Sequence, residues 1–518
     1  MRLVFLFVCL SVFSVSFSQY NNGQSFPCLY LSGNHLNNGN HNYGAINCVE
    51  INGGNLPVAV SPGQNIDVKA GNYIHVTNAH FDNSTGGMTH LHIEKPTFNV
   101  AWFKPFNTLG RVGKYKTMEI GIELPPDIKQ KVYNFINQYG QPQNRINPFD
   151  PDQIDVQVQL TSPSNKIFNR YAFYYQPYER TSSDFVPRLT DYFFRFRFAP
   201  DELGTWKMTI KIVLPNQTIA NQYELEFNCV PSNHKGYLIK RFVNSNDERG
   251  RYLYYKETNE AFKGVGMNIT HSTYDDNWTT EEFDRHVDWI TRFANNGGNF
   301  MRLELGAQNA LPDWEVYNNY NPRMREMYMY DRLIELLENK GVYFIMFRHH
   351  VELAKGPCGW DHACWNENPY RQAFNLQDRM EFFTNTQVIQ WQKNCLRYIM
   401  ARWGYNSNMA VYEYSELDNY VVSAFPNEQD DLKDIHTWLY YMKNKVNQMN
   451  SNVLFTVTFV SSASYKRTIK KYKKPKPHKR FVELCDVVGY HLYQDLEKKQ
   501  IPTGTHYLLK YGKLLKNP

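Results

Sequence analysis

The sequence predicts a multidomain β plus α/β protein. N-terminal β modules, one of them a β-sandwich, precede an incomplete (β/α)8 TIM barrel of about six strands. Three observations predict this. Up to about residue 235, apolar residues alternate with period two between Pro/Gly turns, the pattern of half-buried strands. From about residue 236, strand-like runs alternate with long helical ones, which implies a parallel sheet flanked by helices. The chain has 518 residues, enough for two to four domains, and its 42% hydrophobic and 20% charged content excludes a disordered chain or a membrane bundle.

Residues 1–18 have the form of an export signal. Arg2 supplies the positive start, Leu3 to Val15 is an apolar run too short to span a bilayer, and Ser16-Phe17-Ser18 offers small residues for cleavage. No later run reaches the roughly 18 apolar residues of a membrane helix, so a secreted, extracellular protein is expected. Residues 19–95 form a small all-β module. Its runs Val58 to Val60, Ile66 to Val68 and Tyr73 to Val76 are divided by Pro62-Gly63 and Ala70-Gly71. Residues 96–235 form the β-sandwich. Phe194, Phe196 and Phe198 alternate with Arg195 and Arg197, and Trp206, Met208, Ile210 and Ile212 alternate again after a Pro/Gly turn. That pattern predicts an antiparallel hairpin with one buried face.

Residues 236–518 form the partial barrel. Its strand runs are Phe262–Asn268, Asn299–Leu305, Val342–Arg348, Met409–Ser415, Val453–Phe459 and Val487–Tyr493. Four helices separate them. The first opens on the capping box Thr279-x-x-Glu282 and closes at Gly297. The second ends before Gly341, and the third opens at Thr384-x-x-Gln387 and runs to Arg402. The fourth carries the stripe Leu432, Ile435, Trp438, Leu439, Met442 and Val446.

The net charge of +6 is concentrated in Lys466 to Arg480, where nine Lys or Arg stand without an acid; without those nine the balance is −3. A basic run of this kind is expected to be a solvated loop after the fifth strand, with contact to an anionic polymer or surface as the alternative, and not a nucleic-acid-binding face. Of eight cysteines, Cys9 leaves with the signal. Cys28 with Cys48, and Cys358 with Cys364, are plausible pairs, though spacing does not fix pairing. Cys395 lies on an apolar helix stripe with Val388 and Ile399, as a buried free thiol does. His90-x-His92 supplies two ligands on one strand face, too few for a metal site. No metal and no cofactor is expected.

Catalytic groups of such a barrel stand at the C-terminal ends of its strands. Those positions hold Arg302, His349-His350, Ser415-Glu416 and His491-Leu492-Tyr493, a set suited to proton transfer beside a polar sugar. Glu413 is the fallback acid, but it stands three residues from Glu416, and strand parity points the two to opposite faces. Trp314, Trp360 and Trp365 lie in the loops after the second and third strands, where they either stack on sugar rings or cap the barrel.

The stretch Ala401-Arg402-Trp403-Gly404-Tyr405, continued by Val411-Tyr412-Glu413-Tyr414-Ser415-Glu416-Leu417-Asp418, resembles the fourth-strand block of clan A glycoside hydrolases. It is most similar to the cellulase-like enzymes of glycoside hydrolase family 5. Phe262-x-x-x-Gly266-x-Asn268, Arg302 and His491-x-Tyr493 match further motifs, and residues 147–212 are similar to a β-sandwich of unknown function that precedes such barrels. The resemblance spans residues 147–518. It implies a retaining endo-β-glycanase acting on β-glucan or β-mannan chains, as a monomer, with no nucleic-acid partner. Glu416 is the implied acid/base, and Arg302, His350, Ser415, His491, Tyr493 and Trp365 are the implied substrate contacts. The nucleophile Glu of the family ends a seventh strand, expected beyond Pro518, so weak or absent activity is expected of these residues. Ser415 departs from the family's Asn. A non-catalytic carbohydrate-binding protein with a relic barrel is the alternative.

Overall fold

The computed structural model describes strand segments between residues 25 and 93, then 98–104, 110–220, 224–240, 252–269, 278–348 except 308, then 350, 353, 365–416, 430–459 and 484–490 except 488. Seven strands come first: β1 (Ser25–Ser32), β2 (His41–Asn52), β3 (Pro57–Ala59), β4 (Asn65–Ala70), β5 (Tyr73–Thr77), β6 (His80–Asp82) and β7 (Met88–Ile93). All their mutual pairings are parallel. β1 lies on β2, β2 on β4 and β5, β4 on β7, and β3 on β6. Partners sit about one rung of chain apart, Pro57 opposite His80 and Cys48 opposite Tyr73. Parallel neighbours need a crossover between them, so this module is a stack of rungs and not a set of hairpins.

The sandwich follows with β8 (Val100–Lys104), β9 (Arg111–Gly113), β10 (Met118–Ile122), α1 (Pro126–Ile136), β11 (Asp155–Thr161), β12 (Ile167–Tyr171) and β13 (Phe173–Tyr174). A short hairpin of β14 (Tyr178–Arg180) and β15 (Phe185–Pro187) precedes β16 (Phe194–Phe198), β17 (Gly204–Leu214), β18 (Gln217–Ala220) and β19 (Leu225–Val230). β13, β16, β10 and β8 form one sheet. The other runs β12-β11-β17-β19 and continues through β1 into the stack. The two N-terminal modules therefore share a sheet.

The hairpin expected across Ala199–Gly204 does not form. β16 pairs with β10 and β13, whereas β17 pairs with β11, β18 and β19. The turn arches from one sheet to the other. Alternation alone cannot tell a hairpin from an arch, because in both the apolar sides meet. Here they meet across the core: Phe198 and Trp206 stand edge to face at 5.2 Å, and Trp206 stacks on Phe227 at 6.0 Å. The expected solvent side of β16 is buried too: Arg197 bonds Asp331 of the next domain, and Arg195 lies over the Phe103 ring at 3.3 Å.

That domain opens with the antiparallel pair β20 (Leu238–Lys240) and β21 (Leu253–Tyr255). Six parallel strands follow in simple order: β22 (Gly266–Ile269), β23 (Phe300–Leu305), β24 (Tyr343–Arg348), β25 (Met409–Glu416), β26 (Leu454–Phe459) and β27 (Gly489–Tyr490). They match the six expected runs. Among the described residues β22 and β27 do not pair with each other. The helices are α2 (Thr280–Asn295), α3 (Met324–Lys340), α4 (Pro369–Phe374), α5 (Glu381–Thr384), α6 (Thr386–Arg402) and α7 (Asp430–Met449). None of the described helices is long and apolar enough to cross a membrane.

Helix boundaries follow local chemistry. Both bonds of the Thr279–Glu282 capping box are present, and Gly341 ends α3 in the left-handed region at φ 67°. The third expected start is displaced. Asn385 caps α6, its side chain accepting from Gln387 N and Val388 N, while Thr384 ends α5. Ser, Thr and Asn all cap well, so adjacent candidates cannot be ranked from sequence.

Parity divides the sheet. Met301, Leu303, Leu305, Phe344 and Met346 are buried in the core that also holds the helices. On the other face, Phe300, Tyr343, Val411 and Leu454, all early in their strands, cluster with Leu238 and Phe262. The Tyr343 hydroxyl donates to Gly236 O at 2.6 Å. An apolar plug thus fills the N-terminal end of that face and leaves polar groups to the C-terminal end.

Candidate functional site

Beyond the plug, the same face carries an ionic clasp across four strands. Arg302 on β23 donates from Nε to Glu413 Oε2 at 2.8 Å and from Nη2 to Glu413 Oε1 at 2.7 Å. The guanidinium lies over the Phe347 ring of β24 at 3.5 Å. The Thr458 hydroxyl on β26 donates to Glu413 Oε1 at 2.5 Å. The Glu413 side chain is only 1% exposed. Both of its oxygens are engaged, Oε1 by Arg302 and Thr458 and Oε2 by Arg302. Glu413 and Arg302 are thus bound to each other in this arrangement, at the strand end where the sequence places a candidate substrate contact.

The register of β25 then changes. Glu413 stands opposite Thr456, and Glu416 opposite Thr458, so three steps on β25 match two on β26. This is a β-bulge, a device that re-aims positions at the end of a strand. It cancels the parity argument made from sequence. Position 416 falls opposite Thr458, the residue whose hydroxyl reaches Glu413. Ser415, inside the bulge, is fully buried, and its Oγ has no hydrogen-bond partner.

The other expected contacts are dispersed. His350 is buried against Tyr414 at 5.3 Å, Trp438 of α7 at 5.6 Å and Phe382 of α5 at 6.4 Å. It lies between sheet and helices, on the opposite face from Arg302. Its neighbours there include Asp313, whose Oδ2 accepts from the Tyr370 hydroxyl at 2.7 Å, and the free buried thiol of Cys395. Burial pushes that thiol well above its usual range. Trp365 is half-buried, 5.8 Å from the Arg371 guanidinium, and Trp314 packs on the core. His491, Tyr493, His349, Trp360, the Cys358–Cys364 loop and the run 466–480 lie outside the described residues. Among the described residues no group of three metal-ligating side chains forms, and His90 and His92 stand opposite Asp67 and Lys69.

The block that carries the family resemblance has a second role. Arg402 Nη2 bonds Asp331 Oδ2 at 2.8 Å, and Trp403 Nε1 bonds Asp331 Oδ1 at 2.7 Å. Arg197 of the sandwich joins them, with Nη1 to Asp331 Oδ1 at 2.8 Å and Nε to Glu119 Oε2 at 2.6 Å. All of these side chains are buried. Burial would raise the Asp331 carboxyl, but Arg197 and Arg402 outweigh it and hold the group well below the usual carboxylate range. Glu119 is lowered in the same way. Sequence analysis did not single out Asp331. Its signal was a charged residue one turn from Met327 on the buried stripe of α3. Phe347 and Thr458 carried no signal at all.

No family model matches the chain, and no curated protein matches it. Solved structures to which it is similar include glycoside hydrolases. A putative glycoside hydrolase from Bacteroides vulgatus aligns at TM-score 0.44 and 12% identity, covering 70% of this chain and 58% of that one. A calcium-binding mutant of β-glucuronidase 2 from Bacteroides uniformis aligns at TM-score 0.34 and 10% identity, over 81% and 39% of the two chains. An FMN-binding β-glucuronidase from Facaelibacterium prausnitzii aligns at TM-score 0.33 and 10% identity, over 81% and 46%. The chain thus spans less than two thirds of the length of each. Matches this distant decide neither chemistry nor substrate.

Proposed function

We propose that the α/β domain is of glycoside hydrolase type and engages β-linked polysaccharide of the glucan or mannan kind. In this reading Glu416 is the acid/base, Ser415 lies beside the bound sugar, and the protein is an exported monomer. The observation that supports it best is the bulge in β25, which sets position 416 in register with Thr458, beyond a clasp that already occupies Glu413. With both Glu413 oxygens engaged by Arg302 and Thr458, the carboxylate assigned to proton transfer at the end of this strand is that of Glu416. Retaining hydrolysis also needs a second carboxylate about 5–5.5 Å away, a role assigned here to no residue. The alternative, carbohydrate binding without turnover, draws on the same clasp, because both Glu413 oxygens are already engaged by Arg302 and Thr458 and no second carboxylate is assigned to the attack. Calorimetric titration with β-linked gluco- and manno-oligosaccharides, beside a reducing-end assay, tests both. Binding that weakens on substitution at Ser415 or Glu416 supports the site. Turnover abolished by Glu416→Gln supports the enzyme, and turnover untouched by that change rejects the assignment.

A further inference from the structure

Two cysteines meet in the N-terminal stack through an irregularity of its register. At the start of the β1–β2 pair, Ser25 stands opposite Gly44 and Phe26 opposite Ala45, an offset of nineteen residues. From Cys28 onward the offset is twenty: Cys28 stands opposite Cys48, Leu29 opposite Val49, and so on to Ser32 opposite Asn52. Had the first register continued, Cys28 would have stood opposite Asn47. The extra residue enters β2 immediately before Cys48, and its effect is to align the two cysteines. Adjacent strands run about 4.7–4.9 Å apart. That separation lies within the 4.4–6.8 Å spanned by the α-carbons of a disulfide.

We propose that Cys28 and Cys48 form a disulfide that staples the first two rungs of the stack. On its other side Cys48 stands opposite Tyr73, so the ladder offers Cys48 no third cysteine. Cys229 and Cys395 are buried free thiols. In forming the S–S bond the two thiols lose two protons and two electrons. The acceptor is the disulfide of a thiol oxidant, which leaves as two thiols. The position is strategic, because β1 joins the stack to the sandwich through a short pairing with β19, with Ser25 opposite Leu225. A covalent tie between β1 and β2 couples the later rungs to that junction and removes freedom from the unfolded chain.

The inference is independent of the glycan reading. The test equilibrates the purified, reduced full chain with a buffer of reduced and oxidised glutathione. Free thiols are then blocked with iodoacetamide, and the protein is digested without reduction for mass spectrometry. The expected result is a cross-linked peptide pair containing Cys28 and Cys48 that separates on reduction, with both cysteines spared from alkylation before it. Cys28→Ser is expected to leave Cys48 fully alkylated. Alkylation of both cysteines in the unreduced wild-type chain overturns the proposal. So does a cross-link from either one to Cys229, Cys358 or Cys364. Because the readout is made on the wild-type chain, it does not depend on whether the variant folds.

Discussion

Arg302 and Glu413 form a bidentate pair in which the Arg302 side chain is 11% exposed and that of Glu413 only 1%. Removing one partner of such a pair strands the other. Arg302→Ala is expected to cost about 3–5 kcal/mol, measured by chemical denaturation. Replacing both by apolar residues, as in Arg302→Met with Glu413→Leu, is expected to recover most of that loss. A single variant as stable as wild type would show that the clasp is not formed. Ser415 makes the opposite prediction. Its hydroxyl is buried with no partner, so Ser415→Ala is expected to be neutral or to stabilise by up to about 1 kcal/mol. At this scale the sequence was partly legible. Arg302 stood out as a charge in an apolar strand, but its partner did not, because Glu413 was set aside by a parity that the bulge cancels.

Among elements, those with local signals were legible. The α2 start was legible because Thr279 and Glu282 satisfy each other's backbone within four residues. Thr279→Ala is expected to cost about 1 kcal/mol in urea denaturation, and Thr279→Ser close to nothing. Equal losses from the two substitutions would rule out the capping role. The six parallel strands were legible because apolar runs and helical stripes alternate. The route from β16 to β17 was not, since an arch and a hairpin share one alternating pattern and differ only in which distant strands accept the backbone bonds. The parallel stack before β8 escaped for the same reason: short strands between Gly and Pro turns say little about pairing direction.

The molecule as a whole is joined by buried charge. Glu119 and Arg197 from the sandwich meet Asp331 and Arg402 from the α/β domain, with Trp403 donating to the same carboxylate. The Ala401–Tyr405 motif, noticed in sequence for its family resemblance, thus ties the α/β domain to its neighbour. Asp331→Ala is expected to destabilise both domains together by about 3–5 kcal/mol, giving one lowered transition in calorimetry. The pH dependence follows from the direction of the shift. The folded-state carboxyls of Asp331 and Glu119 are held below their unfolded values, so the unfolded chain binds protons first as acid is added. Their contribution is complete above the unfolded values near pH 4 and is lost as pH falls below them. Asp331→Asn is expected to flatten that acid limb, and an unchanged limb would place the acid sensitivity elsewhere.

The proposed glycan site lies at the C-terminal end of β25 and assigns proton transfer to Glu416, with Glu413 held by Arg302 and Thr458. The most direct measurement compares wild type, Glu416→Gln and Glu413→Gln by titration with β-linked gluco- and manno-oligosaccharides, alongside the melting temperature of each protein. The account predicts that Glu416→Gln keeps the wild-type melting temperature while oligosaccharide affinity, and any hydrolysis, falls. It predicts that Glu413→Gln lowers the melting temperature by several degrees, as loss of a buried ion pair does. Unchanged binding and hydrolysis in Glu416→Gln, or a Glu413→Gln protein that melts like wild type, would contradict it.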